Sequence, residues 1–224
     1  MREVYADTAI VVVTYRRMEL LQVLFESIVA NSAYPGQVFV VDNDKDPAVE
    51  AMCTELQAQL RVGVAEAASQ AEATEATEAT EAASQAGATG QAEAAGATGA
   101  ERAQRGAPAA ADLAAPVIPI VTWVPMPTNT GGSGGFSKGV ELAYQAGAEW
   151  IWVMDDDVKL LAHALASLRP WMQQAEANNQ RVIQCRRLNF DDSLFYWQYH
   201  FLYRLGIPNP IAPSKFKEGE RFRS

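Results

Sequence analysis

From its amino end the chain alternates short apolar runs with stretches of helical period. Thr8-Ala9-Ile10-Val11-Val12-Val13 is a continuous, largely β-branched run, the pattern of a strand buried on both faces by covering helices. It ends in Thr14-Tyr15-Arg16-Arg17. Leu20, Leu21, Leu24, Ile28 and Val29 then recur at helical spacing, and Asn31 with Pro35-Gly36 predicts where that helix stops. A second buried strand is predicted at Val38-Phe39-Val40-Val41, ending in Asp42-Asn43-Asp44. A β-α-β unit with a crossover of about two dozen residues predicts a parallel pair and a right-handed connection.

The pattern predicts a further helix from Pro47 to about Leu60, after which the apolar periodicity disappears. It returns at Val117–Val124, a predicted strand whose Pro119 points to an edge or a bulge. A glycine cluster, Gly131-Gly132-Ser133-Gly134-Gly135, precedes a helix predicted from Phe136 to about Ala148. Trp150-Ile151-Trp152-Val153-Met154 reads as another buried strand and runs directly into Asp155-Asp156-Asp157. Leu160, Leu161, Leu165, Leu168, Trp171 and Met172 mark a helix kinked or interrupted by Pro170, and Val182-Ile183-Gln184-Cys185 is a last strand candidate. Strands alternating with helices predict an α/β fold with a mainly parallel sheet flanked by helices. In such sheets ligands bind beyond the carboxyl ends of the strands. The polar clusters at Thr14–Arg17, Asp42–Asp44 and Asp155–Asp157 all fall there.

Composition changes this picture mainly by dividing the chain. Of the 224 residues and formal charge of −9, the window 64–115 supplies −6, together with 23 alanines and no aromatic residue. With so little to bury, that window predicts a low-complexity insertion, disordered or transiently helical, without a chemical role. The remaining chain is nearly neutral at −3, so nucleic acid is not an expected partner. Cys53 and Cys185 have no metal-ligand spacing and read as reduced, structural thiols. A charged amino terminus without a signal-peptide core, and the lack of a run of roughly 20 apolar residues, predict a cytoplasmic protein.

Three consecutive carboxylates after an apolar strand need something positive nearby. Extended backbone would turn Asp155 and Asp157 one way and Asp156 the other. Two carboxylates at one strand end suit Mg²⁺ or Mn²⁺ shared with phosphate oxygens; a solvated turn or a helix N-cap also uses Asp. The glycines allow a phosphate cradle at a helix N-terminus or simply a flexible turn. They fit neither the P-loop nor the G-x-G-x-x-G register.

Val12-Val13-Thr14-Tyr15-Arg16-Arg17, Val40-Val41-Asp42-Asn43, Asn129-Thr130-Gly131-Gly132-Ser133-Gly134-Gly135-Phe136 and Trp150–Asp157 stand in the order of family 2 glycosyltransferases. In these motifs the chain resembles that family, closest to its actinobacterial galactofuranosyltransferase and rhamnosyltransferase-like branch, over about 8–60 and 117–190. The resemblance implies a GT-A fold that binds a nucleotide-diphosphate sugar, with the nucleotide held by Thr14, Tyr15 and Arg16 and the uracil read by Asp42. It implies Asn129, Gly131 and Gly132 near the donor, Asp155 and Asp157 on Mn²⁺ or Mg²⁺, and Asp156 assisting through donor hydroxyls or the metal's outer shell. The implied reaction is inverting transfer from a UDP-galactofuranose or dTDP-rhamnose-like donor to a cell-envelope glycan or polyprenyl-linked acceptor.

Relatives in this family take the acceptor proton on an Asp-Asp or Glu-Asp pair, often followed by a metal-binding histidine. Asp191-Asp192 and His200 are the candidates here, although they follow Asp157 closely in Leu-Asn-Phe-Asp-Asp-Ser-Leu. The base is instead expected beyond Ser224, in an acceptor half that the chain lacks. The domain plan is then 1–63 with 116–190 as the nucleotide-sugar-binding domain, 64–115 as the insertion, and 191–224 as the start of an incomplete acceptor region. That last segment crowds Phe195, Tyr196, Trp197, Tyr199, Phe201 and Tyr203 together. From His200 onward it carries a net charge of +3. This suits either packing against a further part of the protein or peripheral contact with a lipid-linked acceptor at the inner face of the plasma membrane. Two other readings are a nucleotide-sugar-binding module without catalysis and a sugar nucleotidyltransferase, the latter disfavoured because the loop after the first strand has no glycine.

Overall fold

The computed structural model describes residues 2–87, 117–185, 187–188, 201–204 and 207–210, in two compact units, Met1–Gln174 and Ala175–Ser224. In the first unit, strands β1 (Glu3–Thr14), β2 (Ala33–Asp42), β3 (Ile120–Pro125) and β4 (Trp150–Asp155) form one sheet in the order β3-β2-β1-β4. Every pairing in it is parallel. Helices α1 (Met18–Val29), α2 (Pro47–Gly87), α3 (Gly131–Gln145) and α4 (Ala164–Ala177) follow the four strands in turn. In the second unit, β5 (Phe201–Arg204) and β6 (Ile207–Pro210) pair antiparallel. The first unit is thus an α/β fold with an all-parallel, helix-flanked sheet, consistent with a Rossmann-like GT-A architecture. Among the described residues no helix is long and apolar enough to cross a membrane.

The apolar run of β1 is buried because it is a central strand with a helical layer on each face. Ile10 and Val12 pack with Val38 and Val40 of β2 against Leu21, Leu24, Phe25 and Ile28 of α1 and Val49, Leu56 and Leu60 of α2. Ala9 and Val11 turn the other way, with Phe39, onto Ala143 of α3. Burying each large aliphatic side chain contributes about 1.5–3 kcal/mol, so the alternation along β1 and β2 fixes register as well as stability. The proline expected to mark an edge does so: β3 begins just after Pro119 and is an outer strand. Gln57 of α2 covers that edge, donating to the Pro119 carbonyl at 2.7 Å and accepting from the Val121 N–H at 2.8 Å.

Several expected boundaries move. Pro35-Gly36 does not lie outside a strand but inside β2, opposite an irregularity between Tyr5 and Ala9 of β1. A Cβ on Gly36 would stand 2.8 Å from the Ala6 backbone, so close strand approach, not helix termination, is what needs this glycine. Helix α2 passes Leu60 and continues to Gly87, with Val64 and Ala67 buried. Once its packed first turns are formed, alanine-rich sequence extends a helix at little further cost. Leu160 and Leu161 precede α4 instead of opening it. The Leu160 N–H donates to Ser27 Oγ at 3.0 Å, and Asn31 Nδ2 donates to the Leu161 carbonyl at 2.8 Å. These bonds tie the connection to the carboxyl end of α1. Helix α4 runs through Pro170. The candidate strand at 182–185 has no regular structure, and Val182 is 84% exposed.

Candidate functional site at the carboxyl ends of the strands

The parallel register pairs Thr14 with Asp42 and Val13 with Asp155, so the polar ends of β1, β2 and β4 arrive level with one another. Between them opens a cleft of about 240 Å³ lined by Thr14, Tyr15, Arg17, Asn43, Asn129, Gly131, Gly132, Asp155 and Asp156, with Val13 beneath. Arg16 turns the chain from β1 into α1 in the left-handed region, at φ 55°. That conformation costs a non-glycine residue roughly 1–2 kcal/mol. Its side chain leaves the cleft, pairing with Asp44 at 2.9 Å and stacking on Tyr15. The next residue, Arg17, points to the acids.

Asp156 is the enclosed acid at the end of β4. It is 3% exposed, and a carboxylate so placed requires strong partners. Thr14 Oγ1 donates to its Oδ2 at 2.8 Å, and Arg17 Nη1 donates to its Oδ1 at 3.2 Å. The same Arg17 nitrogen lies 3.2 Å from Asp157 Oδ2. Burial alternates along the three acids, with Asp156 enclosed and Asp155 and Asp157 exposed, but their directions do not follow the extended-chain expectation: Asp156 and Asp157 lie in a turn after β4, and one Arg17 nitrogen reaches both.

Asp42 is also buried, but its oxygens are already engaged. Oδ1 accepts from the Asp44 N–H at 2.9 Å, while Oδ2 accepts from the Asp46 N–H at 2.8 Å and from the Trp123 indole at 3.2 Å. It therefore builds the loop after β2. Its neighbour Asn43 reaches the cleft and ties in the glycine segment. Asn43 Oδ1 accepts from the Thr130 N–H at 3.1 Å, and Nδ2 donates to the Gly131 carbonyl at 3.3 Å. Asn129 Oδ1 accepts from the Gly131 N–H at 2.8 Å.

The glycine cluster is not a loop ahead of the helix: it forms the first turns of α3, which starts at Gly131. Its glycines divide by face. Gly131, at φ +66°, has nothing within 4 Å of where a Cβ would stand, and Gly132 has only Phe136, at 3.9 Å. Both line the cleft. On Gly135 a Cβ would lie 2.6 Å from Val13 Cγ1, and on Gly139 it would run into Val11. Those two positions let α3 lie directly on β1.

Of the residues expected from the sequence, Thr14, Tyr15, Asn129, Gly131, Gly132, Asp155 and Asp156 are brought together around the cleft. Arg16, Asp42 and Asp157 flank it without lining it. Asp191, Asp192 and His200 lie outside the described residues. Arg17 and Asn43 line the cleft as well, although the sequence pattern does not single them out. Each directly follows a residue it did select, and one position along a chain end reverses the direction of a side chain.

No three Asp, Glu, His or Cys side chains converge on a point among the described residues. A divalent ion here would therefore take one or two carboxylates, from Asp155, Asp156 and Asp157, and complete its shell with phosphate and water oxygens. Mg²⁺ and Mn²⁺ accept such a set, so the residues fit. A larger cavity, about 380 Å³, opens between Asn31, Gly63, Glu66 and His163 near the amino end of β2. It has no acid cluster and no glycine-rich helix start, so the smaller cleft is the better functional candidate.

A helix-flanked parallel sheet whose polar cluster lies beyond the carboxyl ends of its strands defines the class as a Rossmann-like α/β protein, in which ligands bind at that edge. Within that class the chain is distantly similar to the galactofuranosyltransferase GlfT1 of Mycolicibacterium smegmatis, 27% identical over 147 residues. The match takes in 66% of this chain and 28% of that protein, so the chain spans less than a third of the length of this relative. No family model matches the chain.

Proposed function

We propose that this chain carries the donor-binding part of a metal-dependent, inverting glycosyltransferase. Its donor would be UDP-galactofuranose or a dTDP-rhamnose-like nucleotide sugar, and its acceptor a cell-envelope glycan or a lipid-linked glycan. The observation that carries this reading is the meeting of Thr14, Asn43, Gly131, Gly132, Asp155 and Asp156 at one sheet edge, in a chain similar to a galactofuranosyltransferase.

The chain's own groups divide the work. Beyond Gly131, whose N–H Asn129 already takes, the first turn of α3 offers backbone N–H groups that lack intrahelical acceptors, and the bare Gly132 lets an anion approach them closely. Thr14 holds Asp156 in one orientation, so the carboxylate is placed before the donor arrives. A divalent ion, when bound at these acids, supplies Lewis-acid stabilisation of the charge on the departing diphosphate. The acceptor hydroxyl attacks the opposite face of the anomeric carbon, and its proton goes to a carboxylate base. Within this sequence Asp191 and Asp192 offer a carboxylate pair, but in surroundings unlike the family's, so the base stays unassigned.

A second reading is a nucleotide-sugar-binding module without transfer. It is favoured by one observation: among the described residues the acids lining the cleft are Asp155 and Asp156, both already assigned to the donor side. Release of UDP from UDP-galactofuranose by the purified chain with Mn²⁺ separates the readings, with UDP-galactopyranose as control. The transferase reading expects UDP release from the furanose donor above the control, increased by a galactan oligosaccharide. Binding without release supports the module. Absence of Mn²⁺-dependent nucleotide binding defeats both.

A further inference from the structure

Arg17 meets the acidic edge in an unusual way for an arginine. It does not fork onto one carboxylate. A single nitrogen, Nη1, stands 3.2 Å from Asp156 Oδ1 and 3.2 Å from Asp157 Oδ2. Both contacts are longer than the 2.7–2.9 Å typical of a charge-assisted bond. The remaining guanidinium nitrogens have no hydrogen-bond partner among the described residues, and the side chain is 53% exposed. Asp156, by contrast, is enclosed, with Thr14 and Arg17 as its side-chain partners. The guanidinium therefore acts as a point charge shared between two oxygens from adjacent residues, loosely held on its outer side.

We infer that Arg17 is a built-in counter-cation, occupying the position between Asp156 and Asp157 that a divalent ion would take and exchanging with it. The inference rests on the donor-site reading above and adds a positioning residue to it. Without a metal, Arg17 neutralises a buried carboxylate that would otherwise carry a large desolvation penalty. A divalent cation brings twice the charge to the same oxygens and displaces the guanidinium. Because Arg17 lines the same cleft, its freed planar donors then face any anionic group bound there, a geometry suited to phosphate. Arg17 thus opposes cation binding on its own and supports anion binding once the cation is present. The two ligands become positively coupled through one side chain, and such coupling is reciprocal.

Calorimetry on the full chain tests this with Mn²⁺ alone, and with UDP in the presence and absence of Mn²⁺. Arg17→Gln is expected to tighten Mn²⁺ binding several-fold without nucleotide, and to weaken UDP binding at saturating Mn²⁺ by about tenfold, as expected for one lost charge-assisted contact of roughly 1.4 kcal/mol. Arg17→Lys keeps the competing charge but not the fork, so it should leave Mn²⁺ affinity near wild type while still weakening UDP. A purely structural arginine would not move the two ligands in opposite directions, and a single cooperative thermal transition, lowered in Arg17→Gln by the loss of the Asp156 partner, checks that each variant folds. If the wild-type chain binds both ligands and Arg17→Gln leaves Mn²⁺ affinity unchanged or lowers it, the exchange is wrong and the donor-site reading survives. If the wild-type chain binds neither ligand, both fall.

Discussion

Thr14 and Asp42 end neighbouring strands, both are buried, and they use that burial differently. Thr14 gives its hydroxyl to Asp156, so it orients an acid at the cleft. Asp42 takes three donors on two oxygens, so it belongs to the scaffold of the loop that delivers Asn43. Asp42→Ala strands two backbone N–H groups and an indole N–H, and should lower the urea-unfolding free energy by about 3 kcal/mol. Asp42→Asn, which keeps one acceptor oxygen, should cost less. At Cys53, burial and then the charges of Asp42 and Glu50 push the thiol up to about 12. At pH 8 the thiolate is then roughly one part in ten thousand. Iodoacetamide should spare Cys53 in the native chain and modify it rapidly in urea, as mass spectrometry of the peptide would show. Because the folded value lies above the unfolded one, this contribution to stability is complete below about pH 9 and is lost as pH rises toward 12.

At the scale of elements, α3 makes the sharpest test because its glycines have opposite surroundings. Alanine is favoured over glycine in a helix by about 1 kcal/mol. At Gly132, where the nearest atom to a new Cβ is 3.9 Å away, Gly132→Ala should raise the melting temperature. At Gly139 the new methyl would press into Val11 of the central strand, and overpacking of about 1–3 kcal/mol outweighs the helix gain. Gly139→Ala should therefore melt lower than wild type. This is also where the sequence misleads. Five residues with four glycines read as a loop, because propensity disfavours them in a helix. Close packing of α3 on β1 overrides the propensity, and that constraint comes from Val11 and Val13, far away in the chain. Pro35-Gly36 misleads for the same reason, since the Ala6 backbone that requires the glycine lies on another strand. The alanine-rich window misleads in the opposite sense. Its composition offers little to bury, yet α2 continues into it from packed turns and takes Val64 and Ala67 into contact.

At the scale of the whole molecule, the apolar runs made the architecture legible. Continuous β-branched segments such as Ile10–Val13 and Val38–Val41 require cover on both faces, which a parallel sheet between helical layers provides. That topology then sends Thr14, Asn43 and Asp155 to the same edge without further information. What could not be read was which neighbour at each strand end turns inward: Arg17 in place of Arg16, Asn43 in place of Asp42. Those choices depend on local backbone geometry, above all on the left-handed Arg16, which no periodicity encodes.

The placement of the donor at that edge is testable by amide chemical-shift mapping of the ¹⁵N-labelled chain, titrated with UDP in the presence of Mg²⁺. The perturbed amides are predicted to cluster at Val13–Arg17, Asn43, Asn129–Gly132 and Asp155–Asp157, and Asp156→Asn should abolish the effect. Shifts gathered instead around Asn31, Gly63 and His163, or no saturable shifts at all, would contradict it.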